Sequence, residues 1–177
     1  MSARLFSFFL PPRICVLCLM HSTSRLCSNC QDALPFIVDQ CRRCALPLED
    51  GGKSVCSECH QDPPAFERAI VPLRFRYPIN RLVHRFKDRQ DLTIGKALSR
   101  FAIDYCRAAN PALIFDAACP VPTMVQRRFS RGFNPAEFVA RQIAQAFNKP
   151  LLSLITKIRP TKDQRHLDRN ARHRNIQ

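Results

Sequence analysis

Eight of the ten cysteines in this 177-residue chain fall in its first third as four Cys-x-x-Cys pairs: Cys15/Cys18, Cys27/Cys30, Cys41/Cys44 and Cys56/Cys59. Two intervening residues let a tight knuckle aim both thiolates at one metal ion, and two knuckles supply the four soft ligands of a closed tetrahedral zinc site. Four pairs therefore make two all-thiolate sites, most simply Cys15/Cys18/Cys27/Cys30 and Cys41/Cys44/Cys56/Cys59. The gaps between successive pairs, of eight, ten and eleven residues, suit short hairpins of the zinc-ribbon kind. Spacing picks out the ligands and leaves their partition open. A disulfide framework would need an oxidising compartment; an iron–sulfur cluster or a redox pair would use the same motif. The repeated spacing favours two structural zinc ions. His60 follows Cys59 directly, but four thiolates already close that site. Cys106, in a predicted helix, and Cys119, at a strand end, read as buried core thiols.

A second constellation is basic. Pro120-Val121-Pro122 leads through Arg127-Arg128 to Arg131-Gly132-Phe133-Asn134, which runs straight into a helix start. In open α/β sheets, ligands bind beyond the carboxyl ends of strands, and the free N–H groups of a helix start favour an anion. Three arginines offer forked donors. Gly132, one of four glycines, lets backbone approach a phosphate closely. The stretch reads as a phosphate or pyrophosphate site, with a plain basic turn capped by Asn134 as the competing explanation.

The elements that must position these groups follow from periodicity. The cysteine-rich head closes at Cys59, and Gln61-Asp62-Pro63-Pro64 is the natural linker, giving domains 1–62 and 63–177. Residues 69–73 predict a short strand. Ile79, Leu82, Val83 and Phe86 recur at helical spacing over 78–87, with Arg81, Arg85 and Lys87 opposite. Residues 92–105 repeat the pattern through Ile94, Ala97, Leu98, Phe101, Ala102 and Tyr105. Residues 113–119 predict a buried strand. A third helix starts at Asn134 as N-cap, with Pro135 in its first turn and Glu137 three residues after the cap. Its expected apolar face is Val139, Ile143, Ala146 and Phe147. A strand at 151–155 and a polar, partly helical stretch from 163 follow. Strands alternating with helices imply parallel α/β structure.

Charge divides the chain. Residues 1–67 hold 6 basic and 7 acidic side chains, and each zinc held by four thiolates adds about −2, so the head is anionic. Residues 68–100 carry 9 basic against 2 acidic, and residues 121–177 carry 12 against 3. A cationic body of this kind attracts phosphate-rich partners, although a solvated basic surface has the same composition. The apolar run Leu5–Leu10 is broken by Pro11-Pro12, lacks a small-residue cleavage site and is too short to span a bilayer. A cytoplasmic protein without a membrane span is expected.

In order along the chain, the four cysteine pairs, Arg85-Phe86-Lys87, Pro120-Val121-Pro122 and Arg131-Gly132-Phe133-Asn134 resemble the ComF/GntX family. Gln164, Leu167, Arg172 and Asn175 match its Gln-x-x-Leu-x(4)-Arg-x-x-Asn segment. The resemblance covers nearly the whole chain. It implies a double zinc ribbon joined to a type I phosphoribosyltransferase-like domain, and a role in natural competence, the handling of imported single-stranded DNA and the use of DNA as a nutrient. Competence-machinery proteins become expected partners. Lys87, Arg127, Arg128, Arg131, Gly132, Asn134, Gln164, Arg172 and Asn175 become the expected phosphate or nucleic-acid site. Pro135 departs from the glutamine usual in the family after Asn134. A paired-aspartate loop, Asp-Asp-x-x-Thr-Thr-Gly, is absent, so the chain is expected to be a truncated member. Phosphoribosyl diphosphate and magnesium enter only if that loop is supplied. No catalytic residue is assigned and no transferase activity is expected, leaving DNA binding, a phosphoribosyl-transfer enzyme and a zinc-ribbon scaffold as the three readings.

Overall fold

The computed structural model of the chain describes residues 13–48, 54–123, 132–158, 167–168, 171 and 174–175. The apolar lead-in and most of the polar stretch from 163 lie outside these residues. The chain divides into two compact units, Met1–Phe115 and Asp116–Gln177, so the expected boundary at 62/63 falls inside the first.

The first unit begins with the same small motif built twice. Strands β1 (Arg13–Ile14) and β2 (His21–Ser22) pair antiparallel, with Ile14 opposite His21. Twenty-six residues later, Gln40 and Pro47 form the equivalent antiparallel bridge. Between the arms of each hairpin lies a knuckle closed by matching hydrogen bonds. Cys15 N–H donates to the Met20 carbonyl (2.9 Å) and Leu19 N–H to that of Cys15 (3.0 Å). In the second copy, Cys41 N–H donates to Leu46 (2.8 Å) and Ala45 N–H to Cys41 (2.9 Å). A five-residue helix follows in each copy: α1 (Ser28–Asp32) after Cys27 and α2 (Ser57–Gln61) after Cys56. The two cap cysteines adopt nearly identical backbone angles, φ −68°, ψ 158° and φ −69°, ψ 158°. Segments this short cannot bury a large core, so the cysteines themselves form one: Cys41, Cys56 and Cys59 are buried together, with Leu48 and Val55 packed on them.

Residues 69–73 are expected from sequence to form a short strand. They are instead held by the ribbon. Ala69 N–H donates to the Arg43 carbonyl (2.6 Å), Ile37 N–H to Pro72 (2.9 Å) and Arg74 N–H to Pro35 (2.8 Å). Leu73 makes only an isolated antiparallel bridge with Phe36. Pro72 has no N–H to donate, which limits further pairing.

Helices α3 (Ile79–Asp88) and α4 (Leu92–Ala109) pack against each other. α3 buries Ile79, Leu82 and Phe86, as its periodicity predicts, so Phe86 belongs to the core. Asp91 caps α4 by accepting from Ile94 N–H (3.2 Å). Its most buried residues are Ile94, Gly95, Ala97, Ser99 and Ile103, a stripe rotated from the expected one, with Phe101 meeting Phe36 of the ribbon at a ring separation of 6.0 Å.

In the second unit, α5 (Pro135–Ala146) buries Ala140 and Ala144 against Ala118 and Leu151. The larger Val139 and Ile143 are only half-covered, because the small alanines allow the close approach. Ala118 and Leu151 form a parallel bridge, with Ala118 N–H donating to Pro150 (2.9 Å) and Leu152 N–H to Ala118 (2.9 Å). Among the described residues this bridge stands where strands 113–119 and 151–155 were expected, and the structure is mixed helical and strand.

Candidate metal centres and basic site

The eight knuckle sulfurs gather into two sets. Cys15, Cys18, Cys27 and Cys30 lie with all four Sγ atoms within 4.8 Å of one another, and so do Cys41, Cys44, Cys56 and Cys59. The Cys18–Cys27 sulfurs are 3.8 Å apart and the Cys44–Cys56 sulfurs 3.7 Å. A tetrahedral ion with Zn–S bonds of about 2.3 Å holds its sulfurs about 3.8 Å apart. None of the ten cysteines is in a disulfide.

Backbone donors surround the sulfurs as they do a bound tetrathiolate. Cys27 N–H points to Cys15 Sγ (3.5 Å), Cys56 N–H to Cys41 Sγ (3.4 Å) and Cys59 N–H to Cys56 Sγ (3.4 Å). Burial opposes ionisation of Cys15, but the N–H groups of Cys27, Cys18 and Leu17 and the Cys18 thiol outweigh it, bringing Cys15 down to about 6. Cys41 also falls to about 6, burial again being outweighed by the N–H groups of Cys44, Cys56 and Arg43 and by the Cys44 thiol. Burial and the neighbouring sulfurs push Cys30 and Cys59 up to about 12. Each set thus favours one thiolate, Cys15 or Cys41, and resists ionisation at another, Cys30 or Cys59. A divalent cation is the group that lets all four ionise together, so the donor sets fit zinc.

The remaining two cysteines stand apart. Cys106 is half-buried, and burial raises its thiol despite nearby Arg68. Cys119 is also half-buried, with its thiol directed at the Pro120 carbonyl (3.9 Å). His60 is exposed.

Of the expected basic site, Arg127, Arg128, Arg131, Gln164 and Arg172 lie outside the described residues. Lys87 is exposed on α3 in the first unit. Gly132 takes φ 70°, a left-handed turn that glycine enters without steric cost. Asn134 caps α5, its Oδ1 accepting from Ala136 N–H (3.0 Å) and its Nδ2 donating to the Val121 carbonyl (3.2 Å). The amide is thus already committed to fastening the Pro-Val-Pro segment to the helix start. Glu137 pairs with Arg141 one turn on (3.1 Å). Phe133 packs edge-on to Phe138 at 6.4 Å, and Asn175 is half-buried. A cleft beside α3, lined in part by Tyr77 and Arg89, was not singled out from sequence; its only linear signal is arginine at every fourth position from Arg81.

Two tetrathiolate clusters on a duplicated hairpin–knuckle–helix unit define a double zinc ribbon protein. A family model for the double zinc ribbon domain matches residues 5–60. Over nearly its whole length, ribbon included, the chain is 31% identical over 173 residues to the DNA utilization protein YhgH of Salmonella typhi, covering 93% of this chain and 75% of the relative. It is 26% identical over 155 residues to competence protein F of Haemophilus influenzae, covering 85% and 67% respectively. The chain belongs to the family of these proteins, the ComF/GntX family. No solved structure matches it. Among the described residues, no helix is long and apolar enough to cross a membrane.

Proposed function

We propose that this chain binds single-stranded DNA in competence or DNA utilisation, acting in the cytoplasm, with two structural zinc ions folding its head. The observation that carries the reading is kinship along nearly the whole chain with proteins named for DNA utilisation and competence. The charge pattern supports it: residues 121–177 hold 12 basic and 3 acidic side chains, as a phosphate-binding surface requires. In this reading residues 63–177 supply a phosphoribosyltransferase-like sequence, in which Arg127, Arg128, Arg131 and the Gly132–Asn134 turn contact phosphates with Gln164, Arg172 and Asn175, and Lys87 of the first unit makes a phosphate contact of its own.

A second reading, transfer from phosphoribosyl diphosphate with magnesium, draws support from the parallel Ala118–Leu151 bridge with α5 between its arms.

Anisotropy of a labelled oligothymidylate titrated with the zinc-loaded chain separates the readings. Binding that weakens steeply with salt, and that falls about tenfold at low salt in the Arg128→Ala/Arg131→Ala double variant, is the expected result. A double variant that binds like the parent removes these arginines from the site. Saturable, magnesium-dependent binding of phosphoribosyl diphosphate, with release of pyrophosphate, would favour the enzyme.

A further inference from the structure

A cleft of about 640 Å³ opens in the first unit between the first cysteine knuckle and the polar face of α3. Val16 and Leu17, the two residues inside Cys15-x-x-Cys18, form one wall. Arg81, Arg85, Arg89 and Tyr77 line the opposite one. The arginines stand at i, i+4 and i+8, on one face of α3 and its C-cap. A four-residue step advances about 6 Å along a helix, similar to one nucleotide of an extended strand.

The charges in the cleft are unequally committed. Arg85 is held by Asp91 at 2.9 Å, and Asp88, which also lines the cleft, by His84 at 3.1 Å. Among the described residues Arg81 and Arg89 have no ion-pair partner, and both are exposed. Tyr77 is 70% exposed at the start of the helix. Beside it Phe75, 65% exposed, sets its ring 6.0 Å from that of His84. Guanidiniums in a row with exposed aromatic rings at one end are the elements of single-strand recognition, in which cations follow the backbone and rings accept unpaired bases. A duplex keeps its bases stacked on one another and offers no free face to Tyr77.

We infer that this cleft is a binding groove for single-stranded nucleic acid, in which Arg81 and Arg89 hold backbone phosphates and Tyr77 stacks a base. The inference rests on the proposed DNA-binding function and deepens it by making the zinc ribbon one wall of the groove. The knuckle then has a second role besides holding its ion: it presents Val16 and Leu17 to the strand.

The test uses the full zinc-loaded chain and a fluorescein-labelled oligothymidylate across a salt series. Arg81→Ala/Arg89→Ala should weaken binding about tenfold at low salt and lower the slope of log affinity against log salt by about 1.4, for two lost phosphate contacts. Arg81→Lys/Arg89→Lys should recover most of the affinity. Tyr77→Ala should cost about fivefold or more, and Leu17→Asp, which leaves every arginine in place, should weaken binding by setting a carboxylate opposite the phosphates. Ultraviolet crosslinking should mark the peptide containing Tyr77. Unchanged binding in the alanine and aspartate variants, with crosslinks elsewhere, would overturn the groove while leaving DNA binding intact. A parent chain that binds no oligothymidylate would overturn both. Equal affinity for a duplex of the same length, or displacement of the strand by polyglutamate at equal charge, would overturn the assignment of the occupant.

Discussion

Leu19 and Ala45 follow the first cysteine pair of each ribbon and share one left-handed conformation, with φ 62° and 60°. Turning the chain back after Cys-x-x-Cys requires this conformation, and for a side chain with a Cβ it costs about 1–2 kcal/mol. Glycine would remove that strain at an unfolded-state cost of about 0.4–1 kcal/mol. Leu19 is 70% exposed, so Leu19→Gly should raise stability by about 0.5 kcal/mol, read as a higher urea midpoint of the zinc-loaded chain. Ala45 is buried, and its lost methyl, worth about 0.8 kcal/mol, should cancel the gain in Ala45→Gly. The sulfurs obey a sharper rule. Cys27→Ser and Cys56→Ser should each leave one zinc of two by native mass spectrometry and unfold only their own half of the ribbon, because the metal supplies the folding energy. Loss of both ions from either variant would show that the two clusters share their ligands.

Helix α3 divides its labour by face. Leu82 is 3% exposed, and Leu82→Ala should cost about 3 kcal/mol through lost burial and the cavity left behind. Arg81→Ala, on the exposed face of the same helix, should stay within about 0.5 kcal/mol. Far-ultraviolet circular dichroism in urea measures both, and the contrast makes the arginine variants a clean probe of binding. At the start of α5, Asn134→Ala removes both the cap to Ala136 and the tie to Val121. A loss of about 1 kcal/mol is expected, measured by the same unfolding experiment.

Taken whole, the molecule joins an anionic, metal-dependent head to basic sequence, and its second unit carries apolar side chains in the open. Leu154 is 72% exposed and Ile158 91%. Exposed apolar side chains promote association. Leu154→Lys/Ile158→Lys should therefore reduce aggregation, seen as lower light scattering at matched concentration and weaker binding of a hydrophobic dye. Unchanged scattering would place the adhesive surface elsewhere.

Ligand type and the buried face of α3 were legible in the linear order, because both are local properties. Thiolates two residues apart must share a knuckle, and Ile79, Leu82 and Phe86 must share a helix face whatever they meet. The pattern could not say which surfaces would meet. Only the folded chain gathered the cysteine pairs into two sets, gave residues 69–74 to the ribbon instead of a sheet, and chose Ala140 and Ala144 over Val139 and Ile143 for the tight contact on Ala118. It also brought Val16 and Leu17 opposite arginines more than sixty residues further on. Such choices depend on contacts distant in sequence, where shape and backbone hydrogen bonding outweigh any single residue's preference.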